Sequence, residues 1–395
     1  MKFSSRVQAN LAPNRLTHAL ERRRAEGRPY VDLTESNPTR AGLDYPADLL
    51  VPLGDRRGLT YSPQPFGALQ ARQAVADDYA RRGVPVGPGR IVLTVSSSDA
   101  YSLLFRVLCD PGDQVLAPRP SYPLLEHLGR LDAVTIIPYD LEYHGTWSVD
   151  VASVERALSD RTRALVIVTP NNPTGSYVTS YELDRLAAIC AAHDVALIAD
   201  EVFADYELVP GASRSSGRVL ARQDVLTFGL GGLSKSVGLP QVKLGWIGVG
   251  GPTPAVEHSL ARLEFACDAY LSVSTPVQLA APALLNRGAL LRRQIQARVA
   301  ANYNHLVTTG AAIPACQVLN AEAGWYAVVR APSLCPEEEL VLNLLADADV
   351  LTHPGYFFDF AHESHLVVSL LVSETLFREG VSRMFRYLES SGGQA

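Results

Sequence analysis

The feature that most constrains this chain is a regular alternation of short apolar runs and helical segments between residues 90 and 250. The apolar runs at 90–95, 164–169 and 195–199 are nearly continuous rather than alternating. Continuous apolar runs are typical of strands that are covered on both faces, as in a parallel sheet between layers of helices. Repeated strand–helix–strand units therefore predict an α/β fold with a large, doubly wound, mostly parallel sheet.

The segments between these runs have helical patterns. Thr179 and Glu182 have the spacing of a capping box, which predicts the start of a helix that runs to about His193. Further elements complete the alternating series. Strands are predicted at 114–117, 133–138, 224–230 and 244–249, and helices at 101–109, 124–131 and 151–158.

The pattern changes near residue 276, where long helical stretches precede strands in mixed order. A chain of 395 residues is long for one core and short for three. We expect an N-terminal arm with part of a small domain at 1–45, a large domain at 46–285, and a smaller α+β domain at 286–395. Helices are predicted at 276–286, 290–308, 337–347 and 374–389, and strands at 325–329 and 365–371.

Composition and charge exclude several classes of protein. The net charge is −6 and no stripe of Lys and Arg is present, so we expect no nucleic acid and no anionic membrane as partner. No apolar run reaches transmembrane length, and residues 1–14 lack the apolar core of a secretory signal. Five widely spaced cysteines favour reduced thiols and a cytoplasmic location. His353 and His362 have no metal-like companions, so we expect no metal site.

Polar residues follow three of the predicted strands. Asn172, in the run Asn-Asn-Pro-Thr-Gly, follows the strand at 164–169, and Asp200 follows the strand at 195–199. Lys235 follows the strand at 224–230, between two buried strands, where desolvation favours the free amine. Taken singly, these residues also fit a turn, a cap and a surface loop. Active sites of such sheets lie beyond the carboxyl ends of the strands, so we expect the three side chains to meet there.

An amide, a carboxylate and an amine at one sheet edge fit a pyridine-type cofactor. The carboxylate keeps a ring nitrogen protonated, the amide holds a phenolic oxygen, and the lysine forms a Schiff base. The chain resembles the pyridoxal-phosphate-dependent class I/II aminotransferases of fold type I over nearly its whole length. The residues that carry the resemblance are Tyr61 with Gly67, the loop 94–100, Pro111-Gly112-Asp113, Tyr122, Asn171-Asn172-Pro173-Thr174-Gly175, Asp200-Glu201-Val202, Ser234-Lys235 and Gly324-Trp325.

The resemblance implies pyridoxal 5'-phosphate as cofactor and a role for each residue at the ring. Lys235 is implied to bind the cofactor aldehyde and to move the substrate proton, and Asp200 to pair with the ring nitrogen. Asn172 is implied to donate to the ring hydroxyl oxygen, and Tyr122 to stack on the ring. The implied substrates are an amino donor and a 2-oxo acid acceptor.

A second group of residues is expected at the cofactor phosphate. Ser97 and Ser98 lie where a helix follows a strand, and the amides and dipole of a helix N-terminus favour an anion. Ser234 offers a further hydroxyl. Tyr61 resembles the tyrosine that reaches the phosphate of a neighbouring subunit, which implies a homodimer with shared active sites.

Three positions near the cofactor depart from the family pattern. Lys243 stands where the family usually has a phosphate-binding arginine, which keeps the charge and loses the bidentate fork. Gly232 stands where a serine is frequent. Phe203 stands where the family usually has a tyrosine that shares the ring oxygen, and Tyr206 could replace that hydroxyl if the backbone bends.

The fourth departure concerns the substrate. Val367 occupies the position of the arginine that grips the substrate α-carboxylate in the family, and a valine cannot bind a carboxylate. Arg40, in a loop that resembles the one closing over substrate, is our first candidate for a replacement. His365, Lys243 and Arg330 are weaker candidates. The aromatic run at 353–358 indicates either an apolar or aromatic substrate side chain or part of the core.

The sequence therefore predicts a cytoplasmic, homodimeric, pyridoxal-phosphate-dependent aminotransferase. Two alternatives stay open because the carboxylate arginine and the ring-oxygen tyrosine are replaced. One is a lyase or cyclase reaction on the same cofactor in a biosynthetic pathway. The other is a module that binds the cofactor without turnover, against which the retained Lys235, Asp200 and Asn172 argue.

Overall fold

The computed structural model describes residues 2–8, 11–212, 217–333, 335–362 and 364–392. The strands are β1 Val31–Asp32, β2 Ile91–Thr94, β3 Gln114–Arg119, β4 Thr135–Tyr143, β5 Trp147–Val149, β6 Thr162–Val168, β7 Ala196–Asp200, β8 Thr227–Gly232, β9 Gly245–Gly250, β10 Gln317–Val318, β11 Tyr326–Arg330, β12 Val350–Leu351, β13 His353–Pro354 and β14 His365–Ser369. The helices are α1 Arg15–Ala25, α2 Leu69–Arg81, α3 Ser97–Leu108, α4 Leu124–Leu131, α5 Val151–Ala157, α6 Ser180–Ala192, α7 Leu233–Ser236, α8 Thr253–Asp268, α9 Thr275–Arg287, α10 Ala289–Gly310, α11 Glu337–Asp347 and α12 Glu374–Gly392.

Within these residues, eight strands form one large sheet in the order β2-β9-β8-β7-β6-β3-β4-β5. The pairs β3–β4, β3–β6, β6–β7 and β7–β8 are parallel, which confirms the predicted α/β fold with a mostly parallel sheet. Strand β9 runs antiparallel to both of its neighbours. The connection from β8 to β9 contains the four-residue helix α7 and a 3-10 turn at Pro240–Val242, and neither is long enough to return along the sheet.

Both faces of the large sheet are buried, as the continuous apolar runs predict. In β6, Val166 packs in a core cluster with Leu104 of α3, on one face of the sheet. The adjacent Leu165 and Ile167 pack with Leu186 of α6, on the other face. Successive side chains of a strand point to opposite faces, so a strand between two helical layers needs apolar residues at every position.

A second, smaller unit is built around an antiparallel sheet with the order β10-β11-β14-β13. Its core includes Trp325, Leu344 and Phe377. Strand β1 pairs in parallel with β12, so the N-terminal segment joins this C-terminal unit. The domain limits at residues 45 and 285 stay predictions.

The N-terminal segment also contains helix α1, which the sequence pattern does not predict. Only Leu16 and Arg23 of this helix are buried, so its apolar periodicity is weak. The Arg23 guanidinium donates to the carbonyl oxygens of Leu345 at 2.6 Å and Pro29 at 2.9 Å and pairs with Asp349. This helix is therefore held by hydrogen bonds from a buried arginine together with a short apolar face, Leu16, Ala19 and Leu20, which is too weak a stripe for sequence prediction. Helices α2 and α8 are likewise not predicted.

The capping box at the start of α6 is confirmed. Thr179 accepts from the backbone of Glu182, and the Glu182 carboxylate accepts from the backbone of Thr179. In the part of the chain that the structure describes, no helix combines the length and apolar character needed to cross a membrane.

Candidate active site

A cavity of about 500 Å³ lies at the carboxyl ends of β6, β7 and β8. It is bounded on its far side by residues of the smaller unit, among them Tyr326 and His353. The cavity brings together seven of the predicted site residues. They are Lys235, Asp200, Asn172, Tyr122, Ser97, Ser98 and Ser234.

Strand register explains why these residues meet. Val168 lies beside Asp200 in the β6–β7 pair, and Asp200 lies beside Leu230 in the β7–β8 pair. Asn172 follows the end of β6 by four residues, and Lys235 follows the end of β8 by three. Three consecutive parallel strands thus end at one level and deliver an amide, a carboxylate and an amine to the same edge.

The side-chain amine of Lys235 lies close to two aromatic rings. Its Nζ lies 4.9 Å from the centre of the Trp325 ring and 5.7 Å from that of Phe203. Burial lowers the pKa of Lys235 to about 8, with the Asp200 charge acting in the opposite direction. A substantial fraction of this amine is therefore neutral, and nucleophilic, in a neutral to mildly basic solution.

The backbone of Lys235 is held by a buried tyrosine. The Tyr206 hydroxyl donates to the carbonyl oxygens of Lys235 at 2.5 Å and Ser236 at 3.1 Å. Arg292 Nε donates to the Ser236 carbonyl at 3.1 Å. The last carbonyls of a helix have no partners within it, so these bonds fix the end of α7. The Tyr206 hydroxyl is thus used on the backbone, and Tyr206 does not line the cavity where it could replace the hydroxyl absent from Phe203.

A network of ion pairs holds Arg292, which donates to the Ser236 carbonyl at the end of α7. Arg292 pairs with Asp78 at 3.1 Å and Asp205 at 3.4 Å, and Arg81 joins the same two acids at 3.0 and 2.6 Å. The network ties α2, α10 and the segment after β7 to the lysine. The two members on α2 lie more than a hundred residues from Asp205 and Arg292 along the chain, so no local sequence pattern predicts the network.

Asp200 is oriented by two donors. The Tyr101 hydroxyl donates to Oδ2 at 3.0 Å, and the Val202 amide donates to Oδ1 at 3.1 Å. Burial raises the pKa of Asp200, while both hydrogen bonds and Lys235 lower it. Tyr101 is a site residue that the sequence prediction missed. Its spacing of three and four residues from Ser98 and Ser97 places it on the same face of α3, which was the available signal.

Asn172 is buried, and its Oδ1 has no hydrogen-bond partner although it lines the cavity. A buried amide without a partner is rare in folded proteins. Because Oδ1 accepts, a protonated hydroxyl on a pyridine ring placed beside Asp200 would satisfy it. The donor set therefore fits pyridoxal phosphate.

The hydroxyls of Ser97, Ser98 and Ser234 line the cavity near the start of α3. Ser96 caps this helix by accepting from the Asp99 amide at 3.1 Å, which leaves the first turn open to an anion. At Gly232, a Cβ would lie 3.1 Å from the Leu244 carbonyl oxygen. Close approach of β9 thus accounts for glycine where a serine was expected.

Two predicted phosphate contacts lie elsewhere. Lys243 is exposed, in a left-handed backbone conformation with φ of 59°, and it does not line the cavity. Tyr61 is 75% exposed and lines a separate, small depression together with Tyr270. Their contacts with phosphate stay predictions.

The candidates for carboxylate binding lie outside the cavity. Arg40 is exposed, four residues after Ser36, which does line it. His365 stacks on Phe360 at 4.5 Å, and Arg330 is exposed at the end of β11. Val367 is fully buried in an apolar cluster.

No group of three or more metal-ligating side chains is present among the residues that the structure describes.

Comparison with known proteins decides the identity of the fold and its chemistry. Residues 30–384 match the family model described as aminotransferase class I and II. The chain belongs to this family. Class I/II aminotransferases depend on pyridoxal phosphate, so this enzyme transfers an amino group between an amino acid and a 2-oxo acid with that cofactor.

Relatives with assigned activities cover almost the whole enzyme. It is 28% identical over 383 residues to the alanine aminotransferase of Mycobacterium tuberculosis, covering 93% of this chain and 87% of the relative. It is 28% identical over 396 residues to the aspartate/prephenate aminotransferase of Thermus thermophilus, covering 98% and 97%.

Solved structures agree with the fold. An alanine aminotransferase from Pyrococcus furiosus superimposes with a TM-score of 0.89 at 22% identity, covering 98% of this chain and all of that one. A double mutant of the Thermus thermophilus aspartate aminotransferase superimposes with a TM-score of 0.81 at 25% identity, with the same coverage. The fold is therefore that of the fold type I aminotransferases.

Proposed function

We propose that Lys235 is the residue that binds the cofactor covalently and moves the substrate proton, with Asp200 and Asn172 holding the ring. The observation that carries this proposal is the meeting of these three side chains in one cavity, with the pKa of the lysine lowered to about 8. Pyridoxal phosphate, when bound, supplies an aldehyde that reacts with amines and a ring that withdraws electrons from the substrate carbon.

The residues around the ring act by holding protons and orientation. The Asp200 carboxylate, fixed by Tyr101 and by the Val202 amide, would accept a hydrogen bond from the ring nitrogen and keep it protonated. Asn172 would hold the ring oxygen. Tyr122, which lines the cavity and is 46% exposed, would stack on the ring.

The proton shuttle needs a lysine that can be both neutral and charged near neutral pH. A lysine pKa of about 8 meets this condition, because catalysis is most efficient when the pKa lies near the working pH. The hydrogen bond from Tyr206 would hold the lysine backbone in place while the side-chain amine moves a proton. Tyr206 is therefore a positioning residue.

The phosphate is proposed to bind at the start of α3, where Ser97, Ser98 and Ser234 supply hydroxyl donors. Lys243 adds a positive charge near the start of β9 but not a direct lining contact, so we expect a modest contribution from it. Tyr61 is proposed to reach the phosphate of a second subunit.

We propose a homodimer on the basis of an exposed apolar surface beside this tyrosine. Leu59 is 83% exposed, Tyr61 75% and Tyr270 63%. Tyr61 and Tyr270 line the same depression. Light scattering should give twice the chain mass, and Tyr61→Ala should lower affinity for the cofactor without changing Lys235.

We propose a cytoplasmic location because all five cysteines, which lie in the described part of the chain, are free thiols.

For the substrate α-carboxylate we propose Arg40. The backbone amide of Arg40 donates to the Asn37 carbonyl at 2.9 Å in a turn that directly follows Ser36. A shift of this turn toward the cavity would bring the Arg40 guanidinium to the substrate, and so supply the positive charge that Val367 cannot provide. Closure of such loops over substrate is a common way to complete a site.

The chain itself provides a sharp test of the lysine assignment. Its sequence contains three lysines, Lys2, Lys235 and Lys243. Borohydride reduction of the holoenzyme followed by peptide mass mapping should place the cofactor mass on Lys235 alone. A Lys235→Ala protein should take up no reducible cofactor, whereas Lys243→Arg should label as the wild type does. Label on Lys243, or none in the wild type, would overturn the assignment.

A panel of amino acids tests the reaction type. Transamination converts the bound cofactor to its aminated form and releases a 2-oxo acid, whereas a lyase releases ammonia and leaves the cofactor form unchanged. We expect the first outcome. Ammonia release without the aminated cofactor would favour the lyase or cyclase reaction, and no conversion with any donor would favour a binding module.

A further inference from the structure

The strand register places a histidine beside the position of the missing arginine. In the antiparallel pair β13–β14, His353 lies directly opposite Val367, and in the pair β11–β14, Val367 lies opposite Val328. The three residues therefore form a row across the sheet, with their side chains on one face. Val328 and Val367 are buried in an apolar cluster with Phe358, so His353 carries the polar atoms of this row.

His353 lines the cavity and is enclosed by aromatic rings. Its imidazole lies 6.1 Å from the Phe357 ring and 5.8 Å from the Phe358 ring, the latter edge-on. Neither ring nitrogen has a hydrogen-bond partner in the described part of the chain. Burial lowers the pKa of His353 to about 4, although the Asp32 carboxylate acts in the opposite direction. At neutral pH this side chain offers one donor and one acceptor, without charge.

The surroundings of His353 disfavour a negative charge. Among the described residues that line the cavity, Lys235 is the only one that carries a positive charge at neutral pH, and it is committed to the cofactor. The acidic residue Asp32 is close enough to act on the pKa of His353, and Glu35 on that of Tyr326. A carboxylate placed among these groups would lose its water without gaining a counter-charge.

The same surroundings favour an aromatic group. Tyr326, Phe357 and Phe358 line this end of the cavity together with His353. Aromatic walls bind planar apolar groups through large contact areas and edge-to-face contacts. The His353 imidazole has no hydrogen-bond partner in the described part of the chain and faces the cavity, so it offers a hydrogen-bonding point within that wall to a polar group of a ligand.

We propose that His353 is a specificity-determining residue that hydrogen-bonds an uncharged polar group of the substrate side chain, and that this end of the cavity selects aromatic over acidic substrates. The proposal rests on the aminotransferase function proposed above and names its substrate class. Arg40, on the N-terminal loop, binds the α-carboxylate, so His353 and the aromatic residues contact the side chain.

Three amino donors test the proposal in the wild-type holoenzyme: tyrosine, phenylalanine and glutamate. We expect kcat/KM for tyrosine to exceed that for phenylalanine about tenfold, the scale of one hydrogen bond. We expect glutamate to be at least about a hundredfold poorer than phenylalanine, because its side-chain carboxylate is desolvated without a counter-charge. A wild-type preference for glutamate over phenylalanine would overturn the proposal without any variant.

Variants at His353 separate its role from packing. His353→Leu should remove the preference for tyrosine over phenylalanine, so that the ratio of the two kcat/KM values falls to about one. His353→Gln keeps an uncharged donor and acceptor and should restore part of the preference. His258→Leu, at an exposed position on α8, is the matched control and should change neither ratio. An unchanged ratio in folded His353→Leu would refute the assignment.

Binding of unreactive analogues gives a readout that does not depend on turnover. By titration calorimetry with the holoenzyme, 3-(4-hydroxyphenyl)propionate should bind about tenfold more tightly than 3-phenylpropionate, and glutarate should bind most weakly. His353→Leu should make the first two affinities equal, and equal affinities in the wild type would contradict the proposal. If borohydride reduction still labels Lys235 but the selectivity test fails, only the His353 proposal is refuted. If Lys235 is not labelled, the proposed function itself is refuted.

Discussion

The two ends of the cavity differ in how their side chains are held. At the end proposed for the cofactor, Asp200 and Lys235 follow strands of the large sheet and are supported by other side chains: Tyr101 holds Asp200, and Tyr206 holds the backbone of Lys235. At the substrate end, side chains come from the smaller unit and the N-terminal loop. His353 has no hydrogen-bond partner in the described part of the chain, and Arg40 is exposed.

This difference separates reaction type from specificity. The cofactor end is preorganised, as catalysis on a fixed ring requires, because its groups must not reorganise during the reaction. The proposed substrate end combines His353, which has no hydrogen-bond partner in the described part of the chain, with the exposed Arg40 on a loop, and we expect the substrate to pair with both. Relatives named for alanine and for aspartate/prephenate share the family with this chain, so the substrate end is where we expect such enzymes to differ.

The largest expected effect comes from breaking the cofactor end. Asp200→Asn should lower kcat by roughly 10³-fold for every donor, because the ring nitrogen loses its charged partner. The ratio of tyrosine to phenylalanine turnover should stay constant. Steady-state kinetics with both donors measures this, with the exposed Glu155→Gln as control. If kcat fell by different factors for the two donors, the two ends of the cavity would not act independently.

The buried lysine should make the cofactor-free protein sensitive to pH. The folded-state pKa of Lys235 is about 8 and its unfolded value is 10.5, so between these values the unfolded chain binds more protons. Stability should therefore rise from pH 8 to pH 10.5. Relative to a neutral side chain, charged Lys235 costs at most about 3 kcal/mol below pH 8, and this cost vanishes above pH 10.5.

Urea unfolding of cofactor-free Lys235→Met and wild type across this pH range checks the prediction. The variant should be the more stable protein at pH 7, and the two should converge near pH 10.5. A difference that does not change with pH would mean that Lys235 is hydrated in the folded protein.

A smaller effect should come from the support of Lys235. Tyr206→Phe leaves two buried carbonyls with one donor fewer and should destabilise the enzyme by about 2 kcal/mol. It should also lower kcat with little change in KM, because the lysine loses its fixed position. Tyr139→Phe is a matched control: Tyr139 is equally buried and donates to the Val166 carbonyl at 2.9 Å, away from the lysine. Equal kinetic losses in both variants would reduce Tyr206 to a purely structural role.

The smallest expected effect belongs to the loop. Arg40→Ala should raise KM for amino acid donors about tenfold, the scale of a charge-assisted hydrogen bond at an accessible site, and should leave cofactor affinity unchanged. Arg156→Ala, at an exposed position on α5, should leave KM unchanged. An unaltered KM in Arg40→Ala would mean that another group holds the α-carboxylate.

The features that could be predicted from the sequence are those that depend on residues close together along the chain. The large sheet was predictable because each strand between two helical layers must be apolar at every position, a pattern confined to a few residues. The same holds for the Thr179–Glu182 capping box. Helix α1 was not predictable, because its apolar face is short and a buried arginine with its carbonyl partners supplies much of its attachment.

At the cavity, the positions of Asn172, Asp200 and Lys235 followed from strand order, since parallel strands bring their carboxyl ends together. The partners of these residues did not. The Tyr206 hydroxyl donates to the Lys235 backbone rather than entering the cavity, and Gly232 makes room for the backbone of β9. Such contacts depend on distances between elements, which a linear pattern does not contain.

Local periodicity and strand order are properties of the linear chain, so the sheet, the cofactor and the residues that meet at the strand ends could be predicted from it. The packed fold alone shows what surrounds these residues. It placed an uncharged histidine beside Val367, left Lys243 and Arg40 exposed, and buried Lys235 among aromatic rings. The physical reason is that burial, and with it charge, depends on which distant elements pack together.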